Sequence, residues 1–134
     1  MLAEAAYAPA PRARMLRVAF VEDHDDFRAL GAEMIGGLGY AVETFATAEL
    51  ALVRIIEGSM HGGVGVLLTD VGLPGMSGVE LGASVHAQAN HISIILASGY
   101  GDAFSDSPAF PFQVLPKPFT IEQLDAALHA AAQP

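Results

Sequence analysis

The feature that most constrains the fold of this chain is an alternation. Leu16–Val21, Ala41–Phe45, Val64–Thr69, Ile92–Ala97 and Gln113–Leu115 are brief hydrophobic runs with β-branched or aromatic residues, and segments of helical periodicity lie between most of them. Short runs this apolar read as strands covered on both faces, which calls for a parallel sheet with helices packed on each side. The expected class is therefore α/β, a doubly wound five-stranded parallel sheet. At 134 residues, 52 % of them hydrophobic, the chain has the length and apolar surface for one domain with a core.

Between the first two runs, Phe27, Leu30, Met34, Ile35 and Leu38 share one helical face, and Gly39 supplies a stop. Thr47 can cap a second helix through about Glu57. Ser77-Gly-Val-Glu80 has the spacing of a capping box, in which the first side chain and the fourth satisfy each other's backbone N–H. Thr120-Ile-Glu-Gln123 repeats the device and opens a last helix with Ile121, Leu124 and Leu128 as its buried stripe. Asp25 and Asp26 read as caps of the first helix. Where another helix is expected, Asp102–Phe112 carries prolines, serines and weak apolar spacing, so that helix should be short or irregular. Residues 1–14, with Ala, Pro and Arg and no sustained periodicity, read as a tail or linker ahead of a domain over 15–134.

Charge narrows the partners. Six basic against fifteen acidic residues give a formal charge of -9, which repels phosphate backbones and anionic membranes. No nucleic-acid partner is expected. No apolar run approaches the roughly 20 residues that cross a bilayer, so no membrane insertion is expected either. The chain has no cysteine, which is compatible with a reducing, cytoplasmic location.

In an open parallel sheet, ligands bind outside the carboxyl ends of the strands. Here those ends are polar: Glu22-Asp23 after the first run, Asp70 after the third, Ser98 after the fourth and, past Pro116, Lys117 after the fifth. An acidic turn or a lone Asp after a strand is ordinarily a solvated loop or a cap, and Lys117-Pro118 alone could be a strand stop. Their joint position gives each a separate task. Three converging carboxylates call for a hard divalent cation such as Mg²⁺. Asp70 can then act as a nucleophile toward a phosphoryl group, with Lys117 as a point charge and Ser98 as a hydroxyl donor to the phosphoryl oxygens. The five histidines are scattered without the i, i+4 spacing of a helical metal site.

FVED, LLTDVGLPGMSG, LASGY and LPKPF stand in the order and spacing of the response-regulator receiver family, and the chain resembles it over 16–132. The resemblance implies a flavodoxin-like sheet of order 2-1-3-4-5. It implies a phosphorelay function in which a histidine kinase or histidine phosphotransfer protein phosphorylates Asp70, and a downstream protein then binds. It also implies that Asp23 ligates Mg²⁺ directly and Glu22 largely through water, with the Gly72 carbonyl completing the protein ligands. Ser98 and Lys117 match the family's hydroxyl and lysine, and Lys117–Pro118 resembles its cis peptide.

Two departures stand out. Many members carry Tyr or Phe three residues before the lysine, where this chain has Val114. The Gly99-Tyr100 pair is similar to a subset of receivers that stand alone or follow a histidine kinase, with Tyr100 a candidate substitute aromatic. A binding module without phosphorylation and an aspartyl-phosphate hydrolase are the competing classes. The hydrolases resemble Asp-x-Asp after a first strand, whereas here the acceptor follows the third and Gly72 replaces the second Asp.

Overall fold

The computed structural model describes residues 16–57, 63–99 and 108–132. In chain order it forms β1 (Arg17–Val21), α1 (Asp25–Gly37), β2 (Ala41–Phe45), α2 (Ala48–Ile56), β3 (Val66–Asp70), α3 (Gly78–Gln88), β4 (Ser93–Ser98), β5 (Gln113–Pro116) and α4 (Ile121–Ala132). All strand pairs are parallel and the order is β2-β1-β3-β4-β5. The chain thus winds one way from β1 to β2 and the other way from β1 to β3. This reversal opens a crevice at their carboxyl ends.

Strand alternation sorts the core into two layers. Ala19, Val21, Leu67, Ile94 and Leu96 face α2 and α3, while Val18, Phe20, Val66, Leu68, Ile95, Ala97 and Leu115 face α1 and α4. The central strand β3 is buried along its whole length, which is why it reads as an unbroken apolar run.

The helix starts follow the capping chemistry. Ser77 and Glu80 form the reciprocal box, Thr120 and Gln123 do the same at α4, and Thr47 Oγ1 accepts the Leu50 N–H. At α1 the cap is His24, whose Nδ1 accepts the Phe27 N–H at 3.5 Å; Asp25 and Asp26 instead sit in the first turn, where carboxylates favour the helix dipole.

The outer parts of two expected stripes are open. Ile35 and Leu38 are buried, but Phe27 and Leu30 are each 54 % exposed, and in α4 Ile121 is exposed while Ala127 joins Leu124 and Leu128 inside. In α1 the wall of the sheet is met further along the helix, where Gly31 lies against the ring of Phe20. Of the segment expected to be irregular, 108–112 forms no regular element, and Phe110 plugs the layer beside Gly82 and Ile94. The remainder of that segment, the tail and Tyr100 lie outside the described residues. Among the described residues, no helix is long and apolar enough to cross a membrane.

Candidate functional site

The register of the sheet carries four chain segments to one place. Val21 pairs with Thr69 and Asp70 with Ala97, so Glu22 and Asp70 emerge side by side, with Ser98 one residue beyond the partner of Asp70. Ser98 pairs with Pro116, and its carbonyl accepts the Lys117 N–H at 2.9 Å, which sets Lys117 at the same end. The Lys117–Pro118 peptide is cis.

Glu22, Asp23 and Asp70 each offer a carboxylate oxygen, all within 4.8 Å of one another; Glu22 and Asp70 are buried and Asp23 is open to solvent. Lys117 Nζ lies 2.9 Å from Glu22 Oε1 and 3.3 Å from Asp70 Oδ2. Burial works against the lysine's charge. Its hydrogen bond to Glu22 and the charges of Asp70 and Glu22 outweigh that, and its pKa is raised above the ordinary lysine value.

One cation against three carboxylates leaves the cluster net negative. Oxygen donors of this charge, drawn together at the mouth of a crevice, fit a hard divalent cation and offer no soft ligand. Gly72 stands on the exposed loop two residues past Asp70.

Supporting contacts were legible only in part from the sequence. Arg28 donates to the Glu22 carbonyl at 2.9 Å and to Asp25 at 2.7 Å, pinning the turn that carries Glu22 and Asp23 to α1. The Asp25/Arg28 spacing marks a helical ion pair, but the reach back to Glu22 depends on the turn. Phe27, placed by its spacing on the apolar face of the first helix, lies with its ring centroid 5.7 Å from Lys117 Nζ and 4.5 Å from the ring of His24. Gly78 is also part of the site's frame, because a Cβ there would fall 2.0 Å from the Asp70 carbonyl oxygen.

Residues 18–129 match the model of the response regulator receiver domain. The chain belongs to that family. Receiver domains are the phosphoacceptor modules of two-component phosphorelays. Among curated relatives, the sensor kinase CckA of Brucella abortus is 37 % identical over 110 residues, 80 % of this chain and 11 % of that kinase. The two-component response regulator PhoP of Pseudomonas aeruginosa is 31 % identical over 118 residues, 86 % of this chain and 51 % of that protein. The chain thus spans about half or less of these relatives.

Among solved structures, the receiver domain of the hybrid histidine kinase CckA superposes with a TM-score of 0.72 at 28 % identity, covering 87 % of this chain and 99 % of that one. A receiver domain protein from Clostridium thermocellum gives 0.79 at 22 % identity, covering 87 % and 94 %, and supports the fold.

Proposed function

We propose that this receiver takes a phosphoryl group onto Asp70 from a histidine of a kinase or phosphotransfer protein, with Mg²⁺ held by Glu22, Asp23, Asp70 and the Gly72 carbonyl. The observation that carries the reading is Lys117 lodged between Glu22 and Asp70 beside the open carboxylate of Asp23. When bound, the ion offsets charge on the phosphoryl oxygens.

The chain's own residues do the rest. An oxygen of Asp70 attacks phosphorus as the bond to the donor nitrogen breaks and its electron pair stays with the imidazole. Lys117 is within reach of Asp70, and from there its ammonium meets a phosphoryl oxygen as a point charge. Ser98 donates its hydroxyl to another. The only chemistry assigned to the chain is this transfer and the slow loss of its own phosphoryl group, in a cytoplasmic signalling role.

A protein donor suits the surface beside the site. Phe20, Phe27, Leu30, Met34, Pro118 and Phe119 line a largely apolar hollow of about 330 Å³ that ends at Lys117, next to the pocket a phosphohistidine must enter. A partner surface seated there would bring its histidine beside Lys117, which itself reaches Asp70.

Acetyl phosphate and Mg²⁺ test the acceptor directly. The expected result is a mass gain of one phosphoryl group, lost in Asp70→Asn, and beryllofluoride should move the amide signals of Asp70 and Ser98. An equal gain in Asp70→Asn, or no gain in either protein, would overturn the assignment.

A further inference from the structure

The loop that leaves Asp70 is held at two depths. Near the sheet, the Val71 N–H donates to Ala97 and the Val71 carbonyl accepts the N–H groups of Leu73 and Gly78 at 3.2 and 2.9 Å. Farther out, past exposed Gly72 and Pro74, the backbone turns through Gly75 at φ +75° and meets α2. There the Met76 N–H donates to Glu49 Oε2 at 2.9 Å, a bond between residues 27 apart in sequence. A Cβ at Gly75 would sit 2.7 Å from the same oxygen, so the turn is shaped to let the carboxylate in.

Glu49 is itself placed. Thr47 caps α2, which puts Glu49 in the first turn, where the helix N-terminus favours a negative charge. The Met76 N–H, followed by its own N–H, holds its carboxyl below the usual carboxylate range. Nothing in the proposed phosphoryl chemistry uses this residue.

We infer that Glu49 is a positioning residue that latches the 71–77 loop to α2 and thereby sets the Gly72 carbonyl for the divalent cation. This deepens the reading of Asp70 as an Mg²⁺-dependent acceptor and rests on it. A carbonyl ligand on an exposed loop is only as well placed as the loop is fixed, and loop fixation is entropy settled before the ion arrives. The cluster's carboxylates stand at the end of β3 and on the turn after β1, which Arg28 of α1 holds, and have no such need of α2. The latch therefore governs affinity and geometry at one ligand and leaves the nucleophile alone.

The test is a titration of the full chain with Mg²⁺ alone, followed by the lifetime of the acetyl-phosphate-derived phosphoryl group. Glu49→Ala, at an exposed helix position where Ala favours the helix, should weaken Mg²⁺ about tenfold, the lower end of what loss of an outer partner costs a metal site. Glu49→Gln keeps an acceptor oxygen and should stay within about twofold of wild type. Glu57→Ala, which removes a carboxylate from the far end of α2, should not differ from wild type. Amide exchange at Met76 should quicken only in Glu49→Ala. A Glu49→Ala protein with wild-type Mg²⁺ affinity overturns the inference alone, even if its Tm falls. Equal weakening in Gln and Ala would reduce the effect to charge and also overturn it. A wild-type protein that binds no Mg²⁺ overturns both this inference and the acceptor reading beneath it.

Discussion

At the carboxyl ends of β1 and β3, charged groups are locked to one another and to backbone: Lys117 bridges two buried carboxylates, Arg28 clamps the turn before α1, and the Asp70 carbonyl passes directly over Gly78. The β5 edge is built differently. Val114 is 50 % exposed, and the neighbouring layer is filled by the rings of Phe110 and Phe112, whose centroids are 5.8 Å apart. Backbone and ion pairs hold the first region, and packed side chains fill the second. The first can be preorganised for chemistry, while in the second a change is taken up by side chains and not by backbone.

Two glycines on the same helix expose the contrast most sharply. In Gly78→Ala the new methyl would fall 2.0 Å from the Asp70 carbonyl oxygen and 3.0 Å from the Val71 Cα, so only backbone movement relieves it. We expect a loss of about 3 kcal/mol or more in a denaturant titration, with the loop after Asp70 displaced. Unchanged stability would mean that the loop after Asp70 is far softer than its contacts imply.

Lys117→Met removes the bridge and leaves Glu22 and Asp70 facing each other. Because the lysine is partly open to solvent, the expected cost without Mg²⁺ is about 1–2 kcal/mol, well below that of a fully buried pair. The variant should bind Mg²⁺ more tightly, since the cluster becomes more negative, yet accept phosphoryl poorly. The sign of the pH effect follows from the raised lysine pKa: the stabilisation is complete below the ordinary lysine value and is lost as pH rises through the raised one. The Lys117 Cε resonance, followed by NMR, should titrate above that of an exposed lysine. Titration below it would break the ion-pair account of the site.

How much of this was readable in advance follows the same division. The five strands, their parallel arrangement and the acids, serine and lysine at their ends were legible because burial on both faces and strand-end chemistry leave direct marks in the sequence. The order of the sheet came from family resemblance. The outward face of α1 was not legible: Phe27 and Leu30 keep helical spacing with Ile35, and only the tertiary packing decides that Ile35 is buried while they stay exposed. His24 displaced Asp25 and Asp26 as the cap because the turn from Glu22 ends one residue earlier than composition suggests. The Glu49–Met76 bond was illegible for a plainer reason, since no local pattern announces a contact across 27 residues.

Gly82→Ala tests the softer region. Its methyl would lie 2.7 Å from Phe110 Cζ and 3.5 Å from Ile94 Cγ2, a clash with a ring and not with backbone. The gain in helix propensity, about 1 kcal/mol, offsets part of the overpacking, and we expect a net loss of about 1 kcal/mol in the same denaturant titration. A loss as large as that of Gly78→Ala would erase the distinction between the two ends.

The smallest effect is expected at Val114, the position where many receivers carry an aromatic ring. Val114→Phe adds apolar surface at a half-exposed edge position, so stability should stay within about 0.5 kcal/mol of wild type. Its use lies in the phosphorylated protein. If the β5 edge carries the response by repacking Phe110 and Phe112, Mg²⁺ and beryllofluoride should move the amide signals of those two residues in the wild type and in Val114→Phe alike. If the signals move only once the ring is restored, the wild-type edge is passive and the repacking account of β5 fails.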